Sequence, residues 1–316
     1  LVVLSTGAFA TVSATPRITA IGGQSDLSIT TSTYGDGWSY DAANTTLTLN
    51  NYNGDKIIVE GYPNQTFTIK LIGTNTVTSS DGNPGIKATN TDFYSNSYLT
   101  FSITADTNAK LTVNGIQIEG KTEFTIGGNA TVISKPTKSG VSALYAGMSR
   151  TINILDQANV TMESAVQQTG ETYSLLATYG ANLIINTTGD IMLDATNVAD
   201  GTKGYAAWIQ GGDVSTHVTH VNKMTLKWAK RGGYSLRIPS SNKATFILNE
   251  GSGIDVYRSC TSYATVEFKN KSGTLAVPIV NTTGKSYGYF LKDEIVPITA
   301  KDPESGKRFK EWTWTG

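Results

Sequence analysis

His217 and His220 are the only imidazoles in the chain, and with Asp213 close by they are the first residues to weigh for chemistry. A spacing of three places them on one face of a helix but on opposite faces of a strand. If the insertion around them turns helically, His217, His220 and Asp213 could hold a metal. Two imidazoles alone make no zinc site, and histidines in a surface loop are the plain alternative. A second set is acidic: Asp190, Asp194, Asp200, Asp213 and Asp255 recur near turns. Carboxylates about 5 to 9 Å apart suit glycoside hydrolysis, and a calcium cluster beside an Arg or Lys suits lyase chemistry. Sequence spacing forces no two of them together, so no catalytic residue, metal ligand or cofactor is assigned; calcium is the one ion left open. The third set is aromatic. Tyr145, Tyr179, Trp208 and Trp228 carry rings that stack on the apolar face of a sugar or dock a protein.

The elements that position these residues are short and repeated. Leu183 and Ile185 are followed by a polar turn through Thr188, Gly189 and Asp190, then by Ile191 and Leu193. The same eight-residue step joins Phe124 to Val132, Ile152 to Val160 and Phe246 to Ile254, and one added residue joins Val266 to Leu275. Each strand alternates apolar and polar residues, so one face is buried, yet a single pair cannot bury it without neighbours above and below. Self-similarity on this scale predicts a solenoid of parallel, in-register coils. First strands are expected near Phe67, Leu99, Phe124, Ile152, Leu183, Met224, Phe246 and Val266, about eight coils in all. At roughly 4.8 Å per layer these make a rod about 40 Å long.

Composition narrows the classes further. In 316 residues, 25 basic side chains balance 25 acidic ones and no basic run offers a footprint for nucleic acid or anionic lipid. No apolar run approaches the roughly 18 residues of a membrane-spanning helix. A lone cysteine, Cys260, rules out a disulfide within the chain and reads as a small buried side chain.

Residues 1–14 read as the end of a secretory signal, their apolar run leading to Val12, Ser13 and Ala14 before Thr15 and Pro16; an ordinary capping strand is the competing reading. Residues 15–54 read as a β cap, with alternation at Leu27 and Ile29, a turn at Gly35, Asp36 and Gly37, and alternation again at Leu47 and Leu49. Trp38 is expected to act as a lid over the first rung rather than as a sugar platform. The run from Gly37, Trp38, Ser39, Tyr40 and Asp41 to Thr46, Leu47, Thr48, Leu49, Asn50, Asn51, Tyr52, Asn53 and Gly54 resembles the opening of secreted bacterial β-helix proteins often labelled carbohydrate-binding, and the likeness extends to roughly residue 280. That resemblance implies a secreted or cell-wall-attached, right-handed parallel β-helix, here over 55–278.

Inside the repeat, Thr68, Thr100, Thr125, Asn153, Ile184, Thr225, Ile247 and Glu267 are expected to face outward from the first strands as ordinary sheet surface. Asn75, Asn108, Asn129 and Asn159 read as left-handed corners that stack into an amide ladder. Gly85, Gly115, Gly140 and Gly204 announce a third strand by standing before Ile86, Ile116, Val141 and Tyr205. Aligned on those glycines, Val141, Tyr173 and Tyr205 share an inward column, and Leu144, Leu176 and Trp208 share an outward one. An apolar outward column needs either a covering loop, for which 211–223 is available, or a partner. The expected binding face therefore comprises Leu144, Tyr145, Leu176, Tyr179, Trp208 and Trp228.

Beyond Pro278 the register changes. The stretch from Tyr289 to Ala300, then Gly306, Lys307, Arg308, Phe309, Lys310, Glu311 and Trp312, resembles one unit of the divergent internalin-type B repeat of bacterial surface proteins, a partial copy over 279–316. The whole reads as an all-β chain: a right-handed parallel β-helix with an N-terminal β cap and a small C-terminal β module, a monomeric piece of a longer surface protein. The expected role is a non-catalytic binding module or adhesin for a glycan or host surface protein. A polysaccharide lyase or hydrolase of β-helix type, or a passive spacer, are the alternatives.

Overall fold

The computed structural model describes residues 16–27, 31–92, 97–148, 151–163, 172–179, 181–194, 197, 203–210, 216–221, 223–227, 234–237, 243–248, 253–256, 265–270, 277–280 and 287–290. Among them are 28 strands and no helix. Period-two alternation is the cause: in Thr66–Ile72, Phe67, Ile69 and Leu71 are buried while Thr68 and Lys70 between them are half-buried.

Most of the strands pair in three parallel ladders, and Lys243–Leu248 and Thr265–Asn270 form a separate parallel pair. The first runs through Thr46–Asn50, Thr66–Ile72, Leu99–Val113, Thr122–Ser134, Thr151–Asp156, Asn182–Thr187 and Thr216–His220. The second takes Asn53–Gly54, Thr74–Val77, the later halves of Leu99–Val113 and Thr122–Ser134, then Asn159–Glu163, Asp190–Asp194, Lys223–Lys227 and Gly253–Val256. Those two long strands pass through the bend between the ladders and join them into one sheet. The third ladder, Ile57–Gly61, Ile86–Asn90, Ile116–Glu119, Leu144–Gly147, Thr172–Tyr179, Lys203–Gln210 and Tyr234–Arg237, belongs to a separate nine-stranded sheet. Antiparallel strands stand at the beginning, where Arg17–Ile21 pairs with Ile57–Gly61 and Trp38–Asp41 with Thr46–Asn50. They stand again at the far end, where Tyr287–Phe290 pairs with Gly253–Val256 and Val277–Val280.

The eight-residue step is visible in the register. Phe124, Ile152 and Leu183 lie opposite one another in the first ladder, and Val132, Val160 and Ile191 do so in the second. Three expected positions shift. Phe101, not Leu99, pairs with Phe67 and Phe124, because the alternation of that strand begins one apolar residue early. Phe268, not Val266, lies opposite Phe246 for the same reason, in a parallel pair of Lys243–Leu248 with Thr265–Asn270. Met224 lies opposite Ile191 and belongs to the second ladder, the first-ladder level being filled by Thr216–His220. The outward row therefore reads Thr68, Ser102, Thr125, Asn153 and Ile184, with Ser102 where Thr100 was expected and His217 at the register position opposite Ile184; Thr225 lies in the second ladder.

The inward row carries the core. Tyr40, Phe67, Phe101 and Phe124 stack with ring centroids 6.0, 6.1 and 5.6 Å apart, tying the antiparallel beginning to the parallel strands of the first ladder. Trp38 is 5% exposed and its indole occupies the space beside Gly35, as a lid would. The corner asparagines act otherwise than expected: none of Asn75, Asn108, Asn129 or Asn159 is left-handed, and Asn51 and Asp156 are. Asn75 is instead buried, accepting from the Tyr52 N–H at 2.9 Å and donating to the carbonyls of Ile72 at 3.1 Å and Lys110 at 3.3 Å. One amide thus bridges three levels. Asn114 does the same at another corner, accepting from Ser79 N–H at 3.0 Å and donating to the carbonyl of Asn83. Hydrogen bonds made this way offset the desolvation of the buried amides and fix register.

Residues 1–15 and 291–316 lie outside the described residues, so the signal reading and nearly all of the B-repeat reading fall there. The positions of Ile29, Asp200, Asp213, Trp228, Cys260 and Leu275 do too.

Candidate binding face

The third ladder settles which of its residues face outward, and it corrects the column expected from glycine alignment. Leu144 is 0% exposed and Leu176 is 2% exposed, and Ala207 lies opposite Leu176. Leu144 and Leu176 are core. Trp208 stands one residue further along, opposite Ala177, which is opposite Tyr145. Because side chains alternate with a period of two, a slip of one residue exchanges the faces. The slip arose from the marker glycines. Gly140 and Val141 precede the strand Leu144–Gly147 altogether, and Tyr205 lies opposite Ser174 and Tyr234 rather than Tyr173.

The true outward row runs through Lys87, Gln117, Tyr145 and Trp208, with Ala177 and Arg237 at the register positions that align with it. Tyr145 is 39% exposed, and its ring lies along its own strand over Gly147. A Cβ on Gly147 would stand 2.9 Å from the ring's Cε1 and hydroxyl oxygen, so glycine provides the berth. Tyr179 takes the register position next to Gly147. Beside the ring, Gln117 Nε2 donates to Glu119 Oε1 at 2.6 Å, and Lys87 Nζ pairs with Glu119 at 2.9 Å. Trp208 is half-buried two strands along, about 10 Å away at the parallel spacing, with small Ala177 at the level between. Two rings separated by a gap and edged by planar polar groups can stack on a flat apolar face and hydrogen-bond its rim.

The acidic and imidazole sets come out differently. His217 and His220 lie in a strand, Thr216–His220, not a helix. A bulge at that level leaves them opposite Ile184 and Asn186, so both take positions of one parity, contrary to the opposite faces a regular strand would give. Among the described residues no three His, Cys, Asp or Glu side chains group as a metal would need. Asp190 is exposed, its N–H donating to Asn159 Oδ1 at 2.9 Å, and lies opposite Lys223. Asp255 lies opposite Thr225.

One juxtaposition escaped the sequence reading. Glu163 lies opposite Asp194, and Asp194 opposite Lys227, while Lys135 pairs with Glu163. The signal was present, since each of these four residues stands three places after Val132, Val160, Ile191 or Met224. Adjacent carboxylates flanked by lysines form a charge row whose signs compensate.

Comparison with protein-family models, with curated proteins and with solved structures returns no match.

Proposed function

We propose that the three ladders are the faces of one right-handed parallel β-helix, and that the chain is a non-catalytic bacterial surface-binding module, secreted or wall-attached, that holds its partner on the third ladder. The observation that carries this reading is the exposed Tyr145 ring lying over Gly147, in line with Trp208. A stalk has no use for a ring spread on its flank, where a lysine or threonine would serve solubility. A glycan is favoured over a host protein, because the rings are separated by a small residue and edged by Gln117 and Glu119 instead of forming a continuous apolar core. Binding to immobilised bacterial and host glycans is the test. Tyr145→Ala and Trp208→Ala should each weaken it by about 1 kcal/mol or more at unchanged folding. Retention of full affinity by both variants contradicts the proposal.

The Glu163 and Asp194 neighbours favour a second reading, a β-helix glycoside hydrolase. Its test is release of reducing ends that Glu163→Gln and Asp194→Asn both abolish. Lys135, paired with Glu163, weighs against it by holding one carboxylate in a salt link.

A further inference from the structure

At the antiparallel beginning of the first ladder, an open groove of about 590 Å³ is lined by Asp36, Trp38, Ser39, Thr48, Asn50 and Ile72, with Gly35, Gly37 and Asn51 completing its wall. We infer that this groove is a second binding site, for a single uncharged sugar residue, on a different ladder from the Tyr145 face. The strand order builds it. Ser39 lies opposite Thr48, and Asn50 opposite Ile72, so their side chains share the outward face. Tyr34 lies opposite Ser39 and is 82% exposed, which sets a free aromatic ring at the groove's margin. Asp36 sits in the turn joining those two strands, at the groove's end.

The lining chemistry selects the ligand. Among the described residues, the side-chain oxygens of Asp36, Ser39 and Thr48 hold no hydrogen bond to any other described group, so a carboxylate acceptor and two hydroxyls face the groove uncommitted. Hydroxyls both donate and accept, which matches the hydroxyls of a sugar, and Tyr34 offers a ring for its apolar face. No lysine or arginine lines the groove, and the neighbouring Lys70 is held by Asp106, so phosphate and other anions find no counter-charge. A single carboxylate is too few for calcium, which takes six to eight oxygen ligands. Trp38–Asp41 and Thr46–Asn50, the strands under the groove, are each paired on both sides and offer an extended peptide no edge.

The test titrates the full chain with glucose, galactose, mannose, N-acetylglucosamine and their disaccharides, following backbone amide resonances. Saturable shifts are expected at Gly37, Ser39, Thr48 and Asn50 with at least one sugar. Asp36→Asn and Tyr34→Ala should each weaken that binding about tenfold, and Tyr145→Ala should leave it unchanged. Both substitutions lie on exposed residues, and the remaining resonances report whether the fold is kept. Absence of saturable shifts at the groove with every sugar, or shifts that survive both substitutions, overturns the inference. Shifts confined to the strand of Tyr145 and lost in Tyr145→Ala also overturn it, while leaving the third-ladder reading standing.

Discussion

The first and third ladders are built from the same alternation, and their inward rows are equally apolar, yet their outward rows differ. Along the middle of the first ladder outward residues bond in pairs: Ser102 Oγ donates to Thr68 Oγ1 at 3.0 Å, and Asn153 Nδ2 to Thr125 Oγ1 at 3.3 Å. Stacked hydroxyls and amides of similar size spend their hydrogen bonds on the levels above and below. The third ladder changes residue type at every level, from Lys87 through Gln117 and Tyr145 to Trp208, so its row cannot stack on itself. A self-satisfied row is scaffold, and a row that repeats nothing presents its chemistry outward.

The largest effect should come from the row both ladders depend on. Phe101→Ala removes the third ring of a four-ring stack and should cost about 3 to 5 kcal/mol in a denaturant or thermal melt, whereas Tyr145→Ala should stay within about 0.5 kcal/mol. Equal losses would erase the distinction between core row and presented row. Next is Asn75→Ala, which strands the Tyr52 N–H and two carbonyls and should cost about 2 kcal/mol by the same measurement.

Tyr40 sharpens the picture from the alkaline side. Burial, and then the charge of Asp41, push its phenol up to about 12, and its hydroxyl finds no hydrogen-bond partner among the described residues. A raised value in the folded state means that the unfolded chain ionises first. The contribution is complete below the ordinary tyrosine value near 10 and is lost as pH rises toward about 12. Tyr40→Phe should therefore flatten the alkaline fall in stability and raise stability at neutral pH by about 1 kcal/mol, since it removes an orphaned polar atom and keeps the ring stack.

A small change in stability, and a large one in binding, is expected of Gly147→Ala. The added methyl meets the flexible end of Tyr145, so the ring lifts from the sheet at a cost of less than about 1 kcal/mol while the presented surface is lost. Solvent quenching of tyrosine, rising in the variant, would register the displacement.

Much of this fold was legible because a constant offset is robust. From Phe124 to Val132 and from Leu183 to Ile191 the chain turns one short corner, and eight residues fix both strands. The third ladder is reached through segments of unequal length, 32 residues from Leu144 to Leu176 and 31 from Leu176 to Ala207. A difference of one residue exchanges core for surface, so Leu144 and Leu176 were read on the wrong side. Glycine markers guided only in part: Gly85 and Gly115 directly precede the strands Ile86–Asn90 and Ile116–Glu119, but Gly140 stands well before Leu144–Gly147 and Gly204 lies inside Lys203–Gln210. The groove at Asp36 was not legible either. Ser39 and Thr48 look like any strand surface, and only pairing sets Tyr34 beside them and Ile72 across from Asn50.

The contrast between the two outward rows is tested most directly by one affinity measurement on a paired set of variants, Tyr145→Ala in the third ladder and Asn153→Ala in the first, against an immobilised glycan that the full chain retains. Binding should weaken about tenfold in Tyr145→Ala and stay unchanged in Asn153→Ala. Equal retention by both, or loss in Asn153→Ala alone, contradicts the account.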